Sequence, residues 1–103
     1  MIKHIKTSKN TSQEECLELL RLLSDQTRQE IILIFAHSKE LCANDIANNF
    51  SLSRPTISHH LNIMKRAGVL NSRKDGKEIY YSFNKKHVLT LLKGLVETLE
   101  RCC

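Results

Sequence analysis

A helix followed at once by a β-hairpin constrains the fold of this chain more than any other feature of the sequence. Ser53 is a favourable helix N-cap, Pro55 falls in the first turn, where a missing N–H is harmless, and Gly68 is a favourable helix end. An Asp75-Gly76 pair follows, which is typical of a tight hairpin turn between two alternating strands. The sequence therefore predicts a capped helix that leads directly into two antiparallel strands.

The rest of the chain is predicted to be helical, and all 103 residues are predicted to form one domain. Apolar residues recur at helical spacing in four further segments, 13–23, 27–37, 42–50 and 86–101. The second of these is apolar nearly all round from 31 to 35, which is typical of a helix buried in a core. The predicted element order is α-α-α-α-β-β-α, mainly α with a two-stranded hairpin.

The short chain limits the size of the core. A domain of this length buries only about 60 to 70% of the surface of its unfolded chain, so a second copy would add stability. In the last helix, Val88, Leu92, Leu95 and Leu99 form a seam that Leu91 widens. This seam either docks on the core of its own chain or pairs with a second chain, and the sequence leaves both possibilities open.

The positive charge is concentrated in one part of the sequence. The formal net charge of the chain is +5, and the segment 53–86 carries a net +6, whereas 1–52 carries −1 and 87–103 is neutral. A scattered excess would be consistent with an ordinary solvated surface. Concentration within the predicted helix and hairpin favours a polyanion as the partner.

Two short helices in 42–68, followed by a hairpin in 69–84, describe a winged helix-turn-helix. In that arrangement the second helix enters the major groove of DNA and the hairpin, or wing, lies along the backbone or minor groove. Cations and hydrogen-bonding side chains suited to bases and phosphates occupy the exposed side of the second helix and the hairpin tip. They are Ser53, Arg54, Thr56, Ser58, His59, Asn62, Lys65 and Arg66 on the helix, and Arg73, Lys74 and Lys77 at the tip.

Three stretches resemble the ArsR/SmtB family of metalloregulatory repressors, namely LSDQTRQEIILIF, LSRPTISHHLNIMKRAGVL and SRKDGKEIYYSF. The resemblance implies that Ser53, Arg54, Thr56, Ser58, His59 and His60 lie nearest DNA, with Arg73, Lys74 and Lys77 as wing contacts. It also implies a homodimer formed by the helices 13–23 and 86–101. Residues 1–12, before the first of these helices, are predicted to form an N-terminal arm. Such a dimer would bind an inverted-repeat operator in double-stranded DNA, with recognition helices about 34 to 36 Å apart.

The adjacent histidines at 59 and 60 are poor candidates for a shared metal ion. Neighbouring residues on a helix point about 100° apart, so both rings cannot readily reach one ion. We expect one ring to face DNA and the other to pack inward.

The four cysteines suggest where an inducer would act. The family site that uses two cysteines in an ELCxC pattern is incomplete here, because Asn44 follows Cys42 at the second position. The family site on the last helix is also incomplete, because Lys85, His87, Thr98 and Arg101 occupy its positions and only the histidine is a ligand. What remains is the Cys102-Cys103 pair, which resembles the ending of family members that sense trivalent arsenic.

A three-thiolate site made of Cys16, Cys102 and Cys103 is therefore the metal hypothesis, with As(III) or another soft ion as inducer. No cofactor is expected for DNA binding itself. Alternatives stay open. A cysteine such as Cys16 on the inner side of an amphipathic helix is more often a small core residue than a ligand, and Cys42 is consistent with a remnant of the lost site. The terminal pair is also consistent with reversible oxidation or persulfide chemistry.

The class of protein follows from these predictions. We expect a transcriptional repressor in the cytoplasm, since the sequence has neither a secretory signal at its start nor an apolar run long enough to cross a membrane. An enzyme is not expected, because no phosphate loop or nucleophile with a base at recognisable spacing is present. A regulator without an inducer, and a protein-interaction module that keeps the winged-helix fold, remain as alternatives.

Overall fold

A computed structural model describes residues 11–102 of the chain. The predicted N-terminal arm at 1–12 lies outside these residues except for its last two, which already belong to the first helix. The elements are α1 (Thr11–Leu23), α2 (Gln26–Ile34), β1 (Leu41–Cys42), α3 (Ala43–Ala47), α4 (Arg54–Arg66), β2 (Leu70–Asp75), β3 (Glu78–Phe83) and α5 (Lys85–Arg101). The mainly helical class with an antiparallel hairpin is confirmed.

One short strand was not predicted. β1 pairs with β3 in antiparallel register, Leu41 opposite Tyr81 and Cys42 opposite Tyr80, so the wing is a three-stranded sheet in the order β1-β3-β2. Cys42, expected to open a helix, instead lies in this strand, and the helix after it is only five residues long. Two residues are too few to show a strand periodicity in the sequence.

The buried side of α4 anchors the molecule. Ile57, Leu61 and Met64 are fully buried at the predicted i, i+4, i+7 spacing. Ile31 of α2 and Ile46 of α3 are equally buried and belong to the same core. Because one whole side of α4 is removed from water, its opposite side must face solvent.

α2 is less buried than predicted. Ile31 and Phe35 face the core, but Leu33 is 67% exposed, so the expectation of a helix buried all round was wrong. α2 has only nine residues and packs against the core by one side. Its other side therefore faces water, although that side also carries apolar residues.

α1 and α5 pack against each other and each keeps a second apolar side exposed. Cys16, Leu19 and Leu22 of α1 are buried, as are Val88 and Leu91 of α5. The predicted seam of α5 divides in the structure, because Leu92 and Leu95 are only partly buried and Leu99 is 61% exposed. The exposed apolar residues of the two helices are Leu17, Leu20, Leu89, Val96 and Leu99.

The junction between α4 and the wing depends on a glycine. Gly68 has φ +82°, and a Cβ atom placed there would lie 2.8 Å from the ring of His87, in the first turn of α5. Gly76, in the hairpin turn, has φ +64° but no atom within 4 Å of such a Cβ.

Among residues 11–102, no helix is both long and apolar enough to span a membrane.

We expect Gly68→Ala to destabilise the protein by about 3 kcal/mol, since a left-handed conformation costs an L-residue roughly 1–2 kcal/mol and the clash with His87 adds about 1–3 kcal/mol. Gly76→Ala is the matched control and should cost only the conformational part. Urea unfolding of both variants measures the difference. Equal losses would show that the contact with His87 contributes nothing.

Candidate nucleic-acid interface

The outward side of α4 carries the polar residues that the sequence singled out. Ser53 caps the helix: its Oγ accepts the Thr56 N–H at 3.3 Å and lies 2.9 Å from the Thr56 hydroxyl. Most of the predicted set is exposed, with Ser58 half-buried between the exposed and the buried sides. The exposed residues are Ser53, Arg54, Thr56, His59, Asn62, Lys65 and Arg66.

A polar contact joins α3 to the first turn of α4. The guanidinium of Arg54 donates to the side-chain carbonyl of Asn44. Asn44 interrupts the cysteine pair of the family's metal-binding pattern, and here its side chain helps to hold the two helices of the helix-turn-helix together. The sequence offered no signal for this pairing across ten residues.

The two histidines of α4 point in different directions, as predicted. His59 is exposed, whereas His60 is half-buried and its Nδ1 accepts a hydrogen bond from the Nε of Arg28 in α2 at 3.1 Å. Nδ1 accepts only when the ring is neutral. Burial lowers the pKa of His60; the charges of Arg28 and His59 act in the same direction, and that of Asp25 opposes them. Of the two histidines predicted to lie near DNA, His59 is therefore the one that faces outward, and His60 packs against Arg28.

Arg73 is engaged within the wing. Its Nε and one terminal nitrogen donate to the two carboxylate oxygens of Glu40 at 2.7 and 2.8 Å, and a second terminal nitrogen lies 3.4 Å from Asp75. Its guanidinium also stacks 4.7 Å from the centre of the Tyr80 ring. The hydrogen bond from Arg73 lowers the pKa of Glu40, and the same bond raises the pKa of Arg73. Arg73, predicted as a wing contact to DNA, thus also holds the wing through Glu40, and its side chain stays exposed.

The remaining cations of the wing are available to a ligand. Lys74 and Lys77 flank the hairpin turn, both are exposed, and neither forms an ion pair with any residue between 11 and 102. Long flexible side chains at a turn reach phosphates without a fixed geometry. These two lysines carry the wing part of the candidate interface.

The cysteines do not converge within the described part of the chain. Cys16 is buried and its thiol donates to the Leu91 carbonyl at 3.2 Å, while Cys102 is exposed just after α5. Cys103 lies outside the described residues. Within 11–102, no three Cys, His, Asp or Glu side chains are grouped closely enough to hold a metal ion.

Comparison with known proteins identifies the family. A sequence model described as "Bacterial regulatory protein, arsR family" matches residues 25–72. The arsenical resistance operon repressor of Escherichia coli K12 is 31% identical over 86 residues, 84% of this chain and 73% of the repressor. The chain belongs to the ArsR family. The stretch matched by the family model runs from the N-cap of α2 into β2, so it contains the whole helix-turn-helix.

Other ArsR-family comparisons agree with the fold. The cadmium resistance regulatory protein CadC of Listeria innocua is 44% identical over 73 residues, 71% of this chain, and the match spans only 61% of the length of CadC. A Mycobacterium bovis domain has a TM-score of 0.70 at 18% identity over 99% of this chain and 94% of its own. Its structure is described as a homodimeric winged helix-turn-helix DNA-binding domain, so the winged-helix fold is confirmed. The related proteins are transcriptional regulators, in agreement with the prediction that this chain belongs to a family of regulators and not of enzymes.

We expect acid to destabilise the protein through His60. Its pKa in the folded state is below the ordinary 6.5, so the unfolded chain takes up the proton first as the pH falls. The stability that the neutral His60 ring contributes to the fold is complete above about pH 6.5 and is lost as the pH falls through the lower pKa of the folded state. Urea midpoints between pH 5 and 8 should therefore vary less with pH in His60→Gln than in the wild type.

His37→Gln is the control for this measurement, because it removes an exposed imidazole whose charge does not act on His60. It should keep the pH dependence of the wild type. A His60→Gln protein with an unchanged pH dependence would contradict the role given to the bond between Arg28 and His60.

Proposed function

We propose that this ArsR-family protein is a transcriptional repressor that binds double-stranded DNA through α4 and the wing. The observation that carries the proposal is the outward side of α4, whose hydrogen-bonding and cationic residues are exposed, beside a hairpin tip with two exposed lysines. Relatives with this fold are named as regulators and repressors of resistance functions, which supports the same role here. α4 would enter the major groove and Lys74 and Lys77 would contact phosphates.

We propose a homodimer as the form that binds DNA. The exposed apolar residues of α1 and α5 belong to two helices that already pack together, so a second copy would cover them in one contact. The homodimeric structure described for the Mycobacterium bovis domain supports this arrangement. A two-fold axis between the copies would present two α4 helices to an inverted repeat.

Binding to DNA should depend steeply on salt, and Lys74 and Lys77 should contribute to that dependence. The logarithm of the binding constant falls by about 0.9 per log unit of salt for each phosphate contact. Each lysine occurs twice in the proposed homodimer, so Lys74→Gln with Lys77→Gln removes four phosphate contacts and should reduce the slope by about 3.6. Fluorescence anisotropy with the DNA upstream of its own gene, from 0.05 to 0.3 M salt, measures the slope.

The matched control is Lys39→Gln with Lys85→Gln. These lysines border a separate cleft at the end of the wing away from the hairpin tip, and their loss changes the net charge equally. The control should keep a slope near that of the wild type. Absence of wild-type binding at low salt would reject DNA binding and favour a protein-interaction module.

We propose that a thiophilic ion such as arsenite releases the repressor by binding Cys102 and Cys103. Cys102 is exposed, and relatives named for arsenical and cadmium resistance support a soft ion. Cys16 is a less direct candidate, because its sulfur lies 3.6 Å from a Cβ placed on Gly94, and Cys102 is about 12 Å further along α5. In the proposed dimer, Cys16 would have to leave the Leu91 carbonyl to ligate.

Cys102→Ser with Cys103→Ser should keep operator binding and lose release by arsenite. Cys42→Ser is the control and should be released like the wild type, and Cys16→Ser tests the third ligand separately. Anisotropy of the DNA complex during arsenite titration measures release. If the double variant is released at wild-type arsenite concentrations, the terminal site is wrong; if diamide alone releases the wild type, thiol oxidation becomes the inducing event.

A further inference from the structure

A second basic surface lies between the end of α1, the start of α2 and the C-terminal half of α4. It is an open groove of about 720 Å³, and Arg21, Arg28, Arg66 and Ile63 are among the residues that line it. We call it the arginine groove. Arg21 and Arg28 belong to a part of the sequence whose net charge is negative, so composition alone gave no sign of it.

The arginine groove borders one flank of α4, and the contact of α4 with α3 borders the other flank. Arg54, which reaches Asn44 in α3, and His60, which accepts from Arg28, are six residues apart and therefore about 120° apart across the buried side of the helix. The outward side of α4, with His59 and Asn62, occupies the remaining arc of about 240° between these two flanks.

The arginines keep most of their hydrogen-bonding capacity. Arg28 uses two of its five N–H donors, one to His60 Nδ1 and a long one to the Leu22 carbonyl at 3.5 Å. Arg66 forms no ion pair with a residue of the described range 11–102. Arg21 has one partner, Glu18, at 3.7 Å, and both side chains are mostly exposed, so that pair is weak.

Three guanidinium groups around one open groove favour a ligand with several anionic oxygens. Planar guanidinium groups bind phosphate in a bidentate manner, and a single acid, Glu18, lines the groove against three arginines. The recognition helix of a helix-turn-helix lies in the major groove, which is bordered by a phosphate backbone on each side.

We propose that the arginine groove receives a backbone phosphate of the operator on the flank of α4 away from α3. The inference rests on the proposed function, and it extends the DNA contact to residues of α1 and α2. One DNA strand would then be held on the flank of α4 near Asn44 and by the wing. The other DNA strand would be held by Arg21, Arg28 and Arg66. The two backbones would fix the position of α4 from both sides.

The test is the variant Arg21→Gln with Arg66→Gln, which leaves Arg28 and its bond to His60 in place. Losing one phosphate contact in each half-site should reduce the salt slope by about 1.8, which corresponds to roughly sixtyfold weaker binding at 0.1 M salt relative to a 1 M reference. The control, Lys39→Gln with Lys85→Gln, removes the same charge and should keep the slope. Thermal unfolding of both proteins checks that the fold is retained.

A scan of neutral methylphosphonates through the operator identifies the phosphate. One substitution at the edge of each half-site should weaken the wild type and leave the groove variant unaffected. If the groove variant keeps the slope and the methylphosphonate profile of the wild type, the groove is not part of the interface, while the salt dependence of the wild type still supports DNA binding. Absence of wild-type binding would reject the proposed function itself.

Inorganic phosphate separates the DNA backbone from a free anion as the ligand. At constant ionic strength and without DNA, a free-anion site would show saturable thermal stabilisation by phosphate that the groove variant loses. That result, together with an unchanged affinity of the variant for DNA, would overturn the assignment to a backbone phosphate.

Discussion

Burial of one side of α4 is the interaction on which the rest of the structure depends. Ile57, Leu61 and Met64 are removed from water completely, and burial of such side chains stabilises a fold by roughly 1.5–3 kcal/mol each. A rotation of α4 about its axis would expose them and bury cations, so the helix has a single orientation. The outward side is therefore determined by the core.

Polar contacts then hold the elements around α4 in place. Arg28 of α2 donates a hydrogen bond to His60 of α4, and Arg54 of α4 donates one to Asn44 of α3. Arg73 of β2 binds Glu40, which lies just before β1. In each case the arginine uses part of its hydrogen-bonding capacity for a contact within the protein. The cations left for a ligand are fewer than the sequence suggests, and they lie at the hairpin tip, on the outer side of α4 and in the arginine groove.

The sequence predicted what local patterns determine. Caps, turn residues and helical spacing gave α4, the hairpin and the order of the helices, because each depends on residues close together in the chain. β1, the pairing of Arg73 with Glu40 and the arginine groove depend on residues far apart in sequence. The division of α5 into two apolar sides was missed because a periodicity shows that a helix is amphipathic and does not show which of its apolar residues are covered.

The short strand β1 affects how the wing can move. By pairing with β3 beside the start of α3, it connects the hairpin to the helix-turn-helix at a second point besides the covalent chain, and the Glu40–Arg73 pair adds a third. The base of the wing is therefore preorganised relative to α4, and its paired backbone does not have to be ordered when a ligand binds. Less entropy is lost on ordering such a surface, so its contacts contribute more fully to affinity.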